Sequence, residues 1–528
     1  MPEVPRVELV ADLQALHEDD RVLVEILSAD GGPSTEWTAR QVVGAARVLA
    51  AWLDGRSAEV GRPVRIGLVT DNTVEWVVAD LAALFSSAVE IPVPLAFTAE
   101  QAASLLAGAD VCLTDSAGAA RLAQWTKMAE KPVLPADCTT DSVDMAELLR
   151  QAESAPEPAS PVEPAEDAVV KVIHTSGTTS APKGVMIRRH GIETLLAALL
   201  KRTDGVSFVR YLSIVPLSLL IEQVAGIYMP FLSGGRVVFL PPGSALVGTA
   251  ADAGPRMTAL LRAARPNAMV LPPTMAGLLL ALCEMHPEED VRERHLRLFG
   301  HEGPVFLACG GAPVPADVLA KLDAYGITLY EGYGLSENSS VVSWNFPGNL
   351  RFGTTGRALD HVEVRCAEDG ELLVRSASLF AGYTGTDPSS IAVDAEGWLH
   401  TGDLAEIDAD GYIRIVGRKK NIVITAGGRN ISPEWVEAQY RSLPFVREVV
   451  IVADGLDAAR GLFVVDDGTD PEDAQLQIKQ FGLDRLSDVE RPTVIRLMSA
   501  TDPAYTDWFT VTGRPRRELV RTLLTEEK

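Results

Sequence analysis

The sequence predicts an α/β protein, with a large region of layered α/β units over residues 1–416 and a small α+β unit over 421–528. Three observations carry this reading. A chain of 528 residues is longer than a single hydrophobic core usually serves, so more than one domain is expected. Short apolar strands alternate with helical patterns up to about residue 415, the rhythm of βαβ units around a mostly parallel sheet. From Ile422 the pattern changes to that of a compact unit, which places a boundary near Gly417–Lys420.

The elements follow in order. Thr38–Leu53 carries apolar residues at helical spacing, Arg65–Thr70 is a short apolar strand, and Val74–Phe85 is helical again. Ala88–Pro94 and Val111–Thr114 read as further strands. Gln151–Asp167, rich in Pro, Ala and Glu, reads as a surface linker between two α/β halves. Beyond it, strands are expected at Val169–His174, Val237–Leu240, Ala268–Leu271 and Pro304–Ala308, with helices between them. In the small unit, Ser432 is placed to cap a helix with Pro433 in its first turn and Glu434 near its positive end. Strands at Val446–Ala453 and Gly461–Val465 follow. No internal repeat is visible.

Composition excludes several classes. The 47 Lys+Arg and 72 Asp+Glu leave a net charge of −25, which argues against a nucleic-acid partner and requires any anion site to be built locally. Residues Met1–Gln14 lack the apolar run of a signal peptide, and the uncharged stretch Pro266–Cys283 is interrupted by Pro272 and Pro273 and is short for a bilayer. No membrane span is expected. The five cysteines are scattered without a CxxC pair, a poor zinc or disulfide framework, and free thiols suit a reducing cytoplasmic location. None of the eight histidines forms a metal-spaced pair.

The most informative segment is Val172–Val185, VIHTSGTTSAPKGV. An apolar strand runs into small and hydroxylated residues, then Pro-Lys-Gly. Such a loop exposes backbone N–H groups and hydroxyls that can wrap phosphates, with Lys183 as a mobile counter-charge. A plain Gly/Ser/Thr turn has the same composition, and the Walker A spacing is not present. The segment resembles the phosphate loop of the adenylate-forming superfamily, which includes acyl-CoA synthetases; the chain as a whole, through Val215–Gly226, is most similar to the long-chain fatty acid CoA ligase type. Four further segments resemble that family in the same order: Cys309–Val314 (CGGAPV), Tyr330–Glu337 (YEGYGLSE), Gly397–Asp403 (GWLHTGD) and Gly417–Lys420 (GRKK). Thr425–Glu434 (TAGGRNISPE) is similar to its thioester-forming loop.

The resemblance implies a nucleotide site and assigns its parts. Thr175, Ser176, Gly177, Thr178, Thr179 and Lys183 would hold the phosphates of ATP. Gly310, Gly311 and Ala312 would lie beside the adenine with Glu331, Gly332, Tyr333 and Gly334, Tyr333 stacking on the base. Ser336 and Glu337 would meet the phosphate and Mg²⁺, an ion that takes oxygen ligands alongside nucleotide phosphates. Asp403 would accept from both ribose hydroxyls, Arg418 would sit near the ribose, and Lys420 would be the pivot of a hinge at 417–420. The C-terminal unit then acts as a lid. His174, Leu219, Gly310 and Ser339 are the residues implied to face the acid substrate. Glu337, Lys183, Lys420 and Arg514 are implied to serve catalysis.

Three positions depart from the family pattern. Ser180 stands where a second glycine is usual. Leu219, in Val215–Gly226 (VPLSLLIEQVAG), stands where many relatives carry His or an aromatic, which implies an apolar wall suited to an acyl or aryl group. Arg514, in Thr510–Arg517 (TVTGRPRR), stands where the family has its adenylating lysine; a planar fork replaces a compact ammonium. Either Arg514 does the same work with shifted geometry, or the acid is not an ordinary carboxylate. The expected activity is adenylation of a fatty or aromatic carboxylic acid with release of pyrophosphate, then transfer to CoA, a carrier protein or an amine. Adenylation of another oxyacid such as nitrite, to diazotise an aryl amine, and a nucleotide-binding protein without catalysis are the alternatives.

Overall fold

The computed structural model describes residues 7–29, 32–129, 131–154, 167–175, 183–203, 208–244, 253–385, 393–426, 429–509 and 515–526. Among them, two large sheets form the body. One has seven strands, with a parallel centre made by Val169–Thr175, Val89–Pro92, Arg65–Val69, Val111–Thr114 and Thr139–Ser142. Lys183–Arg188 adds antiparallel to Val169–Thr175, and the short Gly382–Tyr383 closes that edge. The other sheet has nine strands and runs from Arg357–Ala358 through Ser340–Trp344, Leu329–Leu335, Phe306–Cys309, Ala268–Leu271, Arg210–Ser213, Arg236–Phe239 and Val22–Ile26 to Thr35–Thr38. Its centre is parallel, as the βαβ rhythm predicts.

Local sequence explains the helices between the sheets. Ala39–Val60 begins at Thr38, whose side chain accepts from Gln41 N–H while the Gln41 side chain accepts in return. It ends on Gly61 at φ 74°, a left-handed turn that suits glycine. It packs on Val74–Phe85, in which every residue except Glu75 is buried. A helix apolar on all sides belongs in an interior. One core accordingly joins both sheets across it.

Four fully buried polar side chains form one cluster in that core. Lys171 of Val169–Thr175 pairs with Asp80 of Val74–Phe85 and Glu90 of Val89–Pro92. The Tyr228 hydroxyl donates to both Asp80 oxygens at 2.9 Å. Burial pushes Glu90 up to about 8, against the pull of Lys171 and with the push of Asp80, so its carboxyl keeps a proton at neutral pH. Tyr228 ends a π-helical turn, Val224–Tyr228, that continues the short helix Leu220–Gln223.

The expected strand–helix alternation stops well before residue 415. Val362–Cys366, Glu371–Ser376, Leu399–Ile407 and Ile413–Arg418 form an antiparallel four-stranded sheet without helical crossovers. Its signal was available: Asp369-Gly370 and Asp410-Gly411 are hairpin-type turns, and both glycines adopt φ 83°. The predicted linker also begins later than expected, because the helix Met145–Ser154 runs into it; residues 155–166 lie outside the described residues. Pro266–Cys283 is a core strand, Ala268–Leu271, and a helix, Thr274–Glu284. Among the described residues no helix is long and apolar enough to cross a membrane.

The smaller C-terminal unit has its own cores. Val446–Val452, Arg460–Val465 and Val494–Ser499 form a mixed sheet, flanked by Pro433–Tyr440, Pro471–Arg485 and Arg517–Glu526. Ser432 does precede its helix, and Pro433 opens it, but the Ser432 side chain does not cap. Its hydroxyl donates instead to Val416 O at 2.9 Å, on the last strand of the large region. Glu434 accepts from Asn421 Nδ2 at 2.5 Å, a contact inside the smaller unit just past the hinge.

Candidate nucleotide site

Ligands of open α/β sheets gather at the carboxyl ends of the parallel strands. Phe306–Cys309 ends at Cys309, and Gly310, Gly311 and Ala312 follow as a loop. Gly311 sits at φ 92°, and a Cβ on Gly310 would come within 3.3 Å of Gly332 O. The loop is therefore pressed against the neighbouring strand, Leu329–Leu335, where Cys309 and Glu331 are in register. Glu331 pins the far end of the loop, its Oε1 accepting from Val314 N–H at 2.9 Å. Burial pushes Glu331 up to about 7. Gly332 and Gly334 are required by close backbone contact; a Cβ at Gly334 would lie 1.8 Å from Ser340 O.

Three of the predicted residues meet beyond this strand. The Tyr333 hydroxyl donates to Asp403 Oδ2 at 2.5 Å, and Arg418 Nε lies 2.8 Å from Asp403 Oδ1. Asp403 and Arg418 come from paired positions on Leu399–Ile407 and Ile413–Arg418, which explains why residues fifteen apart face each other. Asp403 is 3% exposed, and burial raises its pKa, opposed by Arg418 and Tyr333 and reinforced by the nearby charges of Glu434 and Glu337. Both Asp403 oxygens thus already have donors. A carboxylate has about four acceptor sites, so each oxygen can take one further hydroxyl.

Glu337 lies next to this group, in a 3-10 turn, Ser336–Asn338. Its Oε1 accepts from the Tyr383 hydroxyl at 2.8 Å, and its carbonyl accepts from Phe380 N–H at 2.9 Å. The described residues place no hydrogen bond on its other oxygen. The chain then passes through two left-handed non-glycine residues, Ser339 at φ 52° and Ser340 at φ 110°. Ser339 has no exposed surface and donates to Ser378 O at 2.7 Å. Among the described residues no group of three or more His, Cys, Asp and Glu side chains could hold a metal ion; the half-buried Glu337 carboxylate is an oxygen donor of the type Mg²⁺ takes alongside nucleotide phosphates.

The remaining predicted residues are placed as follows. Thr175 and Lys183 end and begin the two antiparallel strands of the hairpin and pair with each other; Ser176, Gly177, Thr178, Thr179 and Ser180 lie outside the described residues, as does Arg514. His174 packs across that hairpin, its Nε2 3.0 Å from where a Cβ on Gly184 would be. Burial pushes His174 down to about 4, so its ring is neutral at pH 7. Leu219 is 44% exposed and precedes the helix Leu220–Gln223. Lys420 is exposed in the 3-10 turn Lys419–Asn421.

Three residues went unread in the sequence. Tyr383 holds Glu337. Lys419, beside the predicted pivot, docks on the large region, with Nζ 2.6 Å from Asp369 and 2.9 Å from Glu371. Glu222 is fully buried, accepts from the Tyr211 hydroxyl at 2.8 Å and is pushed up to about 8 by burial. It lies inside the apolar segment Val215–Gly226, where a single carboxyl is the one sequence signal.

Comparisons with known proteins bear on the family and the fold. The family model described as AMP-binding enzyme matches residues 12–384. A putative fatty-acid–CoA ligase of Mycobacterium tuberculosis is 30% identical over 345 residues, 58% of this chain and 60% of the relative. The chain thus spans about 60% of the length of that relative. Among solved structures, o-succinylbenzoate CoA synthetase from Bacillus subtilis with its acyl-adenylate intermediate matches with TM-score 0.75 and 18% identity, over 98% of each chain. A benzoate CoA ligase from Burkholderia xenovorans LB400 matches with TM-score 0.77 and 20% identity, over 98% of this chain and 100% of that one. The likeness to these two is one of fold.

Proposed function

From the premise that this chain belongs to the AMP-binding enzyme family, we propose that it adenylates a fatty or aromatic carboxylic acid with ATP and transfers the acyl group to CoA. The observation that carries the reading is the meeting of Tyr333, Asp403 and Arg418 beside Glu337 at the strand ends. A buried carboxylate with spare acceptor capacity suits a ribose diol, and a second carboxylate nearby suits a metal nucleotide. The names of the relatives, fatty-acid and benzoate CoA ligases, supply the substrate class.

In this reading an acid oxygen attacks the α-phosphorus of ATP, the bond to the β-phosphate oxygen breaks, and pyrophosphate leaves. Asp403 orients the ribose and Glu331 keeps the adenine-side loop in place. Mg²⁺, held by Glu337 and the phosphates, would supply positive charge to the polyphosphate. Lys183 and Arg514 offset the remaining negative charge as it develops. The hinge at 417–420 then lets the C-terminal unit, residues 421–528, swing about Lys420 and bring Thr425–Arg429 to the mixed anhydride, where the CoA thiol attacks the acyl carbon and AMP leaves. A closed lid keeps water from the anhydride.

Pyrophosphate–ATP exchange over a panel of fatty and aromatic acids tests this, with nitrite plus an aryl amine as a further arm. Exchange that depends on a carboxylic acid is expected. Exchange supported by nitrite alone, or by no acid at all, would overturn the proposal.

A further inference from the structure

Among the described residues, the segment Ser378–Thr384 touches both halves of the candidate site. On one side Ser378 O accepts from Ser339 Oγ at 2.7 Å, Phe380 N–H donates to Glu337 O at 2.9 Å, and the Tyr383 hydroxyl donates to Glu337 Oε1 at 2.8 Å. On the other side, Ala381 N–H donates to Met186 O and Thr384 N–H to Gly184 O, each at 2.8 Å. The same side pairs Gly382 with Met186 and Tyr383 with Val185. Lys183–Arg188 is the strand that begins with Lys183. The segment therefore straps the carboxylate of Glu337 to the strand that leads out of the phosphate loop.

The strap holds a turn that its own sequence disfavours. Ser339 and Ser340 occupy left-handed backbone that non-glycine residues rarely adopt, and such conformations persist only where the surroundings over-determine them. The hydroxyl of Ser339 and the carbonyl of Glu337 are both fastened to the strap. Tyr383 then fixes the carboxylate itself. Its ring packs edge-on against Phe380 at 4.9 Å between centroids, so the hydroxyl has little freedom.

We infer that Tyr383 is a positioning residue that presents Glu337 to the metal of a bound metal–nucleotide complex: by donating to Oε1 it turns the second oxygen toward the ion. The inference rests on the assignment of Glu337 to the metal in the proposed function. Loss of an outer partner of a metal ligand typically costs about 10–100-fold in metal affinity or activity.

The test is the metal dependence of ATP binding, measured by calorimetry with Mg²⁺ and with EDTA. The ratio of the two dissociation constants reports the protein's share in holding the ion. Tyr383→Phe keeps the ring and its packing, so fold and EDTA-state affinity are expected to match the parent. The ratio is expected to shrink by about tenfold, and the Mg²⁺ concentration for half-maximal exchange to rise correspondingly. Glu337→Gln should shrink the ratio at least as far. If Tyr383→Phe leaves the ratio at the parent value while Glu337→Gln lowers it, Tyr383 does not position the carboxylate and the proposal falls alone. If the parent binds no ATP in either condition, the nucleotide reading falls and takes the proposal with it.

Discussion

At the scale of single residues, the account turns on Asp403 and on Arg514. Asp403 is buried between Tyr333 and Arg418, and both partners remain when its carboxylate is removed. Hydrogen bonds to a charged group contribute roughly 1.5–3 kcal/mol each. Asp403→Ala should therefore weaken ATP or AMP binding by at least about tenfold, as titration calorimetry on the folded variant would read. Burial also raises the Asp403 pKa. The acceptor form is then lost at a higher pH than for an exposed aspartate, so nucleotide affinity should begin to fall earlier as the solution is acidified. For Arg514, replacement by Ala should slow pyrophosphate release by ~10²–10³, by analogy with loss of one oxyanion donor. Arg514→Lys should be neutral or faster for a carboxylate substrate and slower for a small oxyacid such as nitrite. An Arg514→Ala variant that exchanges at the parent rate would make this residue a solvated part of the lid.

At the scale of elements, the buried Lys171 cluster ties together the helix Val74–Phe85, the strands Val89–Pro92 and Val169–Thr175, and the π-helical turn ending at Tyr228. Removing the cation, as in Lys171→Met, leaves a buried carboxylate uncompensated and should cost about 3–5 kcal/mol of stability. Glu90 gives a finer test. Its pKa is raised from the ordinary 4.5 to about 8, so the folded protein holds a proton that the unfolded chain releases. The stabilisation this brings is complete below pH 4.5 and is lost as pH rises toward 8. Glu90→Gln keeps the neutral shape without the proton, so its thermal midpoint relative to the parent should climb between pH 5 and pH 8. A gap that stays constant over that range would mean that Glu90 is ionised in the fold.

The same scale shows what the sequence made legible. Val74–Phe85, Val111–Thr114 and Ala268–Leu271 were readable because an apolar period or run is local information. Each site motif was readable for a similar reason: Tyr333 and Glu337, or Asp403 and its strand, lie within a few residues of each other. Tyr383 and Lys419 were not, since their partners Glu337 and Glu371 are 46 and 48 residues away along the chain. Ser432 looked like a cap because capping is a local pattern, but the long-range acceptor Val416 O took its hydroxyl. The antiparallel sheet over 362–418 was obscured by expecting one rhythm to continue, although two Asp-Gly turns announced it.

At the scale of the whole molecule, the large region and the C-terminal unit have separate cores and meet through polar contacts at the junction. Those contacts include Lys419 with Asp369 and Glu371, Ser432 with Val416 O, and Arg485 with Asp317 at 3.3 Å. Polar junctions of this kind allow one unit to move against the other. If the unit rotates about the proposed hinge, Lys420→Pro should freeze it by fixing φ, and one half-reaction should fall far more than the other. Single-turnover formation and consumption of the adenylate separate the two, and equal losses would count against alternation. The central claim, that ATP is split at its α-phosphate to activate a carboxylic acid for CoA, is met most directly by product analysis. With ATP, Mg²⁺, CoA and the acid that supports exchange, mass spectrometry should find AMP, pyrophosphate and the acyl-CoA in equal amounts, none without the acid. ADP and inorganic phosphate as the products, or AMP formed at the same rate without any acid, would contradict it.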